Sequence, residues 1–214
     1  MIKLFYLNID TVEANLTGLM GLLSQTSFEK AKSFHKHEDM LRYIAGRTLL
    51  KIVLGDNNVR YSPRGKPYIL NGERFNLSHS GKYTVLALSR DSIGVDIETI
   101  HRKPHDYNRI VRPPIFSERE CVFFRENGCT QDAFYLLWTL KESYMKRTGQ
   151  GLSQGSCVFK CRSALYSYVP FPEYRLSLCS SERDALFECS RLLLDSELKV
   201  FHEPLEDIPQ PFVI

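Results

Sequence analysis

The sequence predicts an α+β fold made of two similar α/β subdomains. Its length of 214 residues fits one domain or two small ones. In each half a long helical stretch precedes several strand-like segments, and this shared order of elements favours two halves of similar build. An apolar content of 43% and a charged content of 25% exclude a disordered chain, a coiled coil and a fibrous repeat.

The first half is predicted to carry one long helix among several strands. The helix covers residues 28–54, where Leu41 and Ile44 belong to an apolar stripe and Gly55 is suited to end it. The other face of this helix is basic. The predicted strands cover residues 3–8, 67–70, 75–78, 83–89 and 93–98.

The second half opens with residues 101–114, whose three prolines and many charges predict a linker. Ser117 and Glu120 have the spacing of a capping box, and Gly149 is placed to end a strong helical pattern. The predicted helices cover residues 117–127 and 132–148, and the predicted strands lie within residues 157–180 and 185–194.

Charge and cysteine usage favour a cytoplasmic protein. The net charge of +3 is too small for a protein that coats nucleic acid, although residues 182–207 hold eight acidic against three basic residues. The six cysteines include no Cys-x-x-Cys pair, which predicts reduced thiols. No run approaches the roughly 20 apolar residues that a membrane helix needs, and the N-terminus indicates a strand rather than a signal peptide.

Two carboxylates mark the last strand of the first half. Asp96 and Glu98 lie two residues apart, so both side chains point away from the face that carries Val95 and Ile97. Two carboxylates on one face suit a hard cation such as Mg²⁺, and Gly94 leaves space there for a ligand or for backbone. The same pattern in isolation is more often a pair of solvated acids on a half-exposed strand.

One face of the second-half helix combines an aromatic, an acidic and a basic side chain. Trp138, Glu142 and Lys146 are each four residues apart and therefore share that face. If Glu142 meets Asp96 and Glu98, three carboxylates surround one cation, and Lys146 neutralises nearby phosphate charge. The alternative is an ordinary surface ion pair between Glu142 and Lys146.

The segment at residues 75–81 ends a predicted strand in small polar side chains. Ser78, His79 and the backbone amides there are suited to bind an anion. The alternative is a hairpin turn without a ligand.

In this order, the three patterns resemble the motifs of the 4′-phosphopantetheinyl transferase superfamily, in its larger, surfactin-synthetase-activating type. The patterns read Asn-Leu-Ser-His-Ser-Gly from residue 76, Gly-Val-Asp-Ile-Glu from residue 94 and Trp-x-x-Lys-Glu-Ser-x-x-Lys from residue 138. Further matching segments are Gly-Lys-Pro at residues 65–67, residues 34–39 followed by Arg42, and Phe-Ser-x-x-Glu at residues 116–120.

The resemblance covers about residues 3–180 and refines the expected architecture. It implies two subdomains related by a pseudo-twofold axis, at residues 1–102 and 103–214, with the active site at their interface. Because one chain of this size supplies carboxylates from both halves, the expected state is a monomer.

The resemblance also implies a reaction, in which the 4′-phosphopantetheine arm of coenzyme A moves to a serine of a carrier protein and adenosine 3′,5′-bisphosphate leaves. Mg²⁺, with Mn²⁺ as a substitute, would be held by Asp96, Glu98 and Glu142. Glu142 is the implied base, Lys146 stabilises transition-state charge, and Asp96 completes the catalytic set. The residues expected to bind coenzyme A are Lys30, Arg42, Lys66, Ser78, His79 and Lys146.

One position departs from the family pattern. Ser27 stands where the family often has a second lysine, three residues before Lys30, so one phosphate contact is either missing or supplied by Lys32.

The expected partners are acyl- or peptidyl-carrier domains of nonribosomal peptide, polyketide or fatty acid synthesis, and neither nucleic acid nor a membrane. Most such carriers are acidic helical bundles, which favours a contact surface with apolar and basic side chains. Such side chains in the segment at residues 112–125 are Phe116, Phe123, Phe124, Arg112 and Arg119.

Two other classes of protein stay open. A non-catalytic module that binds coenzyme A or a carrier protein would not need all three carboxylates. A Mg²⁺-dependent nuclease could use Asp-x-Glu with a lysine, but it has no obvious use for the Ser-His-Ser-Gly segment or for the low net charge.

Overall fold

The computed structural model describes residues 1–55, 59–63, 65–70, 72–100, 106–149 and 157–212. Within these ranges, helices α1–α6 span Ile9–Ala14, Leu16–Gly21, Gln25–Lys32, His37–Leu54, Glu118–Glu126 and Gln131–Thr148. Strands β1–β11 span Ile2–Asn8, Arg60–Tyr61, Pro67–Tyr68, Arg74–Ser80, Tyr83–Ser89, Ile93–Thr99, Ala164–Tyr168, Tyr174–Ser180, Phe187–Leu194, Val200–Pro204 and Gln210–Pro211. Two 3₁₀ turns span Tyr107–Arg109 and Val158–Lys160.

Two larger sheets organise the fold. The first has the strand order β10-β9-β1-β5-β4 and the second β11-β7-β8-β6, while β2 and β3 form a two-stranded sheet. Each larger sheet therefore contains strands from before and after residues 101–105. The predicted mixture of helices and sheets is confirmed. The predicted boundary at residue 102 lies outside the described residues, and the pseudo-twofold relation stays a prediction.

The larger sheets pack face to face, and helices cover their outer faces. Leu4 of β1 and Ile97 of β6 belong to the buried cluster between the sheets. On the other face of β1, Leu7 packs in a second cluster with Ile44 of α4. A third cluster joins the outer face of the second sheet to α5 and α6. Alternation along the strands thus determines which side chains face each layer.

The ends of α5 and α6 follow the predicted signals. Ser117 and Glu120 form a capping box at the start of α5. Thr130 caps α6 by accepting a hydrogen bond from the N–H of Ala133, and Gly149 ends that helix with a φ of 70°. These local signals therefore place α6, which carries the Trp138, Glu142 and Lys146 stripe, as the sequence predicts.

The prediction of one helix over residues 28–54 is wrong, because the chain forms α3 and α4 with a break at residues 33–36. The hydroxyl of Ser33 donates to the carbonyl of Lys30 at 2.7 Å, at the end of α3. Lys36 then has extended backbone, with φ −96° and ψ 128°, before α4 begins. The predicted basic residues Lys30 and Arg42 consequently lie on different helices.

Residues 106–114 are mostly exposed, but two of their side chains are anchored in the core; their role as a linker between the halves stays a prediction. The ring of Tyr107 is buried and stacks on Phe134 of α6, with ring centroids 4.4 Å apart. Val111 is buried in the same cluster. These apolar contacts hold the segment against α6 despite its prolines and charges, and residues 101–105 lie outside the described ranges.

Among the residues that the structure describes, no helix is both long enough and apolar enough to cross a bilayer.

Candidate active site where α6 crosses β6

Gly94 allows α6 to lie directly across β6. A Cβ atom at this position would be 2.0 Å from the carbonyl oxygen of Ser143 and 2.4 Å from the backbone nitrogen of Arg147. No side chain fits in that space without moving the helix. The space that the sequence predicts beside Gly94 is therefore filled by the backbone of α6.

The side chains of Asp96 and Glu98 meet the predicted stripe of α6. Nζ of Lys146 donates to Oδ1 of Asp96 at 2.6 Å, and Nε1 of Trp138 donates to Oε1 of Glu98 at 3.3 Å. Glu142 lies on α6 one turn from each of these partners. The structure thus brings together the strand and the helix that the sequence singled out.

Asp96 has an unusual environment for a carboxylate. It is 3% exposed, and its Oδ1 accepts hydrogen bonds from Lys146 and, at 3.1 Å, from Ser78. Its Oδ2 is buried and has no hydrogen-bond partner among the described residues. Burial raises the pKa of Asp96 to about 6. The positive charge of Lys146 opposes this increase, and the negative charge of Glu98 adds to it.

Glu142 is half-buried and lies within electrostatic reach of Asp96. Burial raises the pKa of Glu142, and the negative charge of Asp96 raises it further, while Lys146 and Lys141 oppose the shift. A carboxyl group whose charge is disfavoured by a neighbouring carboxylate in this way is suited to share a proton or a cation with it.

The donor atoms fit Mg²⁺, although Lys146 pairs with Asp96 in this arrangement. In the described ranges, no three His, Cys, Asp or Glu side chains are grouped closely enough to hold a metal ion. Mg²⁺ needs few protein carboxylates, since water and substrate phosphates complete its shell, and Oδ2 of Asp96 offers a buried, unpaired oxygen. The ligand set Asp96, Glu98 and Glu142 stays a prediction.

Side chains of β4 accept hydrogen bonds from the backbone N–H groups at the edge of β6. Three alternate N–H groups of β6 donate to three alternate side chains of β4, as the two-residue period of both strands allows. The pairs are Val95 with Oδ1 of Asn76 at 2.9 Å, Ile97 with Oγ of Ser78 at 3.3 Å, and Thr99 with Oγ of Ser80 at 3.0 Å. This row joins the edges of the two larger sheets. Strand β4 reaches Ser80, so the predicted turn begins only at Gly81.

Ser78 lies inside this network, where it is 5% exposed. Its hydroxyl accepts hydrogen bonds from the N–H of Ile97 and, at 2.8 Å, from Nζ of Lys146, and it donates to Asp96. Ser78 therefore fixes the relative positions of Asp96 and Lys146, and its direct contact with coenzyme A stays a prediction.

His79 and Arg42 lie beside Lys146 on the solvent side of the network. Partial loss of solvent around the exposed His79 ring, together with the positive charges of Lys146 and Arg42, lowers the pKa of His79. Arg42 donates to the carbonyl of Gly81 at 2.8 Å and pairs with Asp39 at 2.6 Å. The positive charges of Arg42 on α4 and Lys146 on α6 thus create a field that attracts anions and favours the uncharged form of His79 on β4.

Lys66 and Lys30, which were also expected to bind coenzyme A, lie outside the group formed by Arg42, His79 and Lys146. Nζ of Lys66 donates to the carbonyls of Ile93 at 3.3 Å and Arg147 at 2.8 Å, and burial followed by the charge of Arg147 lowers the pKa of Lys66. Lys30 is exposed, with Nζ 5.2 Å from the ring centroid of Phe34. Within the described part of the chain, no hydrogen bond or ion pair joins Lys30 to β6.

Lys141 forms a buried ion pair that the sequence did not reveal. Its Nζ is 3.1 Å from the carboxylate of Glu120, and the two side chains are 3% and 0% exposed. Glu120 also accepts hydrogen bonds from the N–H groups of Val158 at 2.9 Å and Ser117 at 2.7 Å. The pair connects α5 to α6. In the sequence, only the capping-box position of Glu120 indicated that this residue has a structural role.

The predicted aromatic surface for a carrier protein is wrong. Phe116 and Phe124 are buried in the third core cluster, and Phe123 packs against it. The residues exposed in that region instead are Ile110 at 37%, Ile115 at 41% and Val122 at 40%, with the side chains of Arg112 and Arg119.

A buried carboxylate thus lies among acidic and basic side chains where α6 crosses β6. Comparison with known proteins identifies the family. A family model, the 4′-phosphopantetheinyl transferase superfamily, matches residues 92–191, which include β6 and α6. A putative 4′-phosphopantetheinyl transferase of Synechocystis sp. is 31% identical over 72% of this chain and 69% of its own length. The 4′-phosphopantetheinyl transferases ffp and Sfp of Bacillus subtilis are 30% and 29% identical, over 78% and 77% of this chain and 85% of their own lengths.

The chain belongs to the 4′-phosphopantetheinyl transferase superfamily. The family resemblance noted in the sequence and the enzyme class that it implies are therefore confirmed.

Proposed function

We propose that the protein transfers the 4′-phosphopantetheine arm of coenzyme A to a serine of an acyl- or peptidyl-carrier protein, with Mg²⁺ as cofactor. The observation that carries the proposal is the buried Asp96 carboxylate, paired with Lys146 through one oxygen and unpaired at the other. The names of the curated relatives, which are 4′-phosphopantetheinyl transferases, support the same reaction. The serine oxygen bonds to the β-phosphorus, the pyrophosphate bond breaks, and adenosine 3′,5′-bisphosphate leaves.

Asp96, Glu98 and Glu142 are the residues that would hold Mg²⁺, or Mn²⁺ in its place. The ion, when bound, neutralises the negative charge of the pyrophosphate. Lys146 supplies a second positive charge from α6, and Ser78 orients it through the 2.8 Å hydrogen bond. In this proposal Lys146 exchanges its contact with Asp96 for one with phosphate oxygens.

Glu142 is the proposed general base. Burial and the charge of Asp96 raise its pKa, so its carboxylate holds a proton more strongly than an exposed glutamate does. It accepts the proton of the serine hydroxyl, directly or through one water molecule, as the oxygen attacks phosphorus.

The basic residues around the site are proposed to bind the phosphates of coenzyme A. Arg42 and Lys146 supply a positive field that favours an anion there, and the uncharged ring of His79 beside them offers a hydrogen bond. Lys66 and Arg74 line a cavity of about 370 Å³ near the start of β6. Lys30 contributes a further charge from α3.

We further propose that the enzyme is a cytoplasmic monomer that serves nonribosomal peptide, polyketide or fatty acid synthesis. Because α6 and β6 of one chain supply all three candidate ligands, the site needs no second copy. The carrier protein is proposed to contact the exposed apolar residues Ile110, Ile115 and Val122 near α5, with arginines around them.

Intact-mass spectrometry of an apo-carrier domain tests the proposed reaction. The carrier is incubated with purified protein, coenzyme A and Mg²⁺, and parallel samples lack coenzyme A or contain excess EDTA. We expect the mass to rise by one phosphopantetheine group in the complete mixture alone. Binding of coenzyme A without any mass gain, on both acyl- and peptidyl-carrier domains, would instead indicate the non-catalytic module.

Introducing a negative charge tests the carrier surface separately. Val122→Glu should raise the KM for the carrier, because it places a negative charge opposite an acidic partner. Leu186→Glu is the matched control, since Leu186 is 75% exposed on another part of the surface. An equal KM for both variants would refute this surface but not the transfer reaction.

A further inference from the structure

Cys161 and Cys179 form a close pair of thiols that the proposed transfer does not use. Their sulfurs are 3.8 Å apart, and both cysteines are free. Cys179 is 0% exposed, whereas Cys161 is half-buried and lines a cavity of about 510 Å³. One sulfur is therefore open to small molecules, and the other lies directly behind it.

The electrostatic surroundings make Cys161 the more reactive member of the pair. A hydrogen bond from the thiol of Cys179 lowers the pKa of Cys161; burial opposes this effect, and Ser163 and the positive charge of Arg147 reinforce it. The same contact and burial raise the pKa of Cys179. Because the thiolate is the nucleophilic form, Cys161 is suited to attack an electrophile while Cys179 keeps its proton.

The backbone allows the two sulfurs to approach further. Cys179 is held in β8, paired with Gly94 of β6 on one side and Leu165 of β7 on the other. Cys161 follows the 3₁₀ turn Val158–Lys160 and precedes β7, so no strand pairing fixes it. A disulfide needs sulfurs about 2 Å apart, and a small shift of Cys161 toward the fixed Cys179 provides this.

We propose that Cys161 and Cys179 form an oxidisable dithiol site that takes a hydroperoxide as substrate and yields an intrachain disulfide. The thiolate of Cys161 attacks the outer peroxide oxygen, the O–O bond breaks, and the remaining oxygen leaves as an alcohol or water after taking up a proton. Cys161 becomes a sulfenic acid. The sulfur of Cys179 then attacks that of Cys161, and its proton leaves with the hydroxide as water. Two thiols are oxidised by two electrons, and the peroxide is reduced.

Peptide mapping of the full-length protein tests this site without any measurement of transferase activity. Reduced protein is treated with a small excess of hydrogen peroxide, quenched with N-ethylmaleimide and digested without reductant. We expect a peptide that links Cys161 to Cys179 and disappears on treatment with dithiothreitol. Absence of this link, or oxidation of Cys161 no faster than of Cys129, overturns the proposal.

Variants separate the two chemical steps. In Cys179→Ala, the sulfenic acid of Cys161 should persist and be trapped by dimedone, whereas Cys129→Ala should form the disulfide as the wild type does. Cys129 is the matched control because it is also a half-buried free cysteine.

Alkylation of the wild type gives a second readout if Cys179→Ala does not fold. Iodoacetamide at neutral pH should modify Cys161 about tenfold faster than Cys129. Equal rates overturn the assignment of Cys161 as the attacking thiol.

Discussion

Nζ of Lys146 lies 2.6 Å from Oδ1 of Asp96 and joins the last turns of α6 to the middle of β6. The ion pair is largely buried, with side-chain exposures of 29% for Lys146 and 4% for Asp96. It occupies one oxygen of the carboxylate that the sequence predicts to bind Mg²⁺. The other oxygen, Oδ2, is unpaired among the described residues and is the atom that the proposed function offers to a cation.

The raised pKa of Asp96 predicts a specific pH dependence of stability. An unfolded aspartate has a pKa of about 3.9, and the folded value is about 6. Between these values the folded state binds more protons, so the free energy of unfolding should fall as pH rises through this window. We expect a fall of about 3 kcal/mol attributable to Asp96 in metal-free protein.

Urea unfolding between pH 4 and 7 in EDTA, for the wild type and Asp96→Asn, measures this contribution. The wild type should lose stability relative to the variant as pH rises. Parallel curves would show that Asp96 titrates normally.

Gly94→Ala should displace α6, because the new Cβ would lie 2.0 Å from the carbonyl oxygen of Ser143. Overpacking against backbone predicts a loss of about 3 kcal/mol in the free energy of unfolding, measured with urea. Gly21→Ala is the control, since nothing lies within 4 Å of the corresponding Cβ. Equal stability of the two variants would contradict the close crossing of α6 and β6.

Lys141→Met should strongly destabilise the fold, because Glu120 would keep a buried carboxylate without its cation. We expect a loss of about 3–5 kcal/mol by thermal or urea unfolding. Lys199→Met removes an exposed pair with Glu197 and should cost less than about 1 kcal/mol. If Lys141→Met were as stable as Lys199→Met, the buried pair would not contribute to the free energy of unfolding.

Ser78→Ala tests the hydrogen bonds between β4 and β6. The change leaves the N–H of Ile97 without its acceptor and removes a contact to Lys146, so we expect a loss of about 1–3 kcal/mol. Transfer should fall through kcat more than through KM, because Ser78 orients Lys146. The control Ser92→Ala alters an exposed serine that donates to the carbonyl of Arg147. Equal effects of both changes would exclude this positioning role.

Local patterns were sufficient to predict the elements that carry the site. The two-residue period places Asp96 and Glu98 on one face of β6, and the four-residue spacing places Trp138 and Lys146 on one face of α6. That these faces meet followed only from the family resemblance, because sequence periodicity contains no information on contacts between distant segments.

Other features depended on tertiary contacts that no local pattern encodes. The row formed by Asn76, Ser78 and Ser80 has the two-residue period of a strand, yet its partners are backbone amides on another sheet. The break at residues 33–36 and the burial of Phe116 are further examples. Helices α1 and α2 escaped prediction because each is only six residues long.

Transfer activity of Asp96→Asn beside Asp91→Asn tests the central claim most directly. Asp91 is exposed just before β6, so its variant controls for the loss of one negative charge nearby. Under single-turnover conditions with Mg²⁺, coenzyme A and an apo-carrier, Asp91→Asn should match the wild type. Asp96→Asn should be slower by at least about a hundredfold while keeping its fold by circular dichroism. Phosphopantetheinylation by folded Asp96→Asn at the wild-type rate would contradict the proposed site.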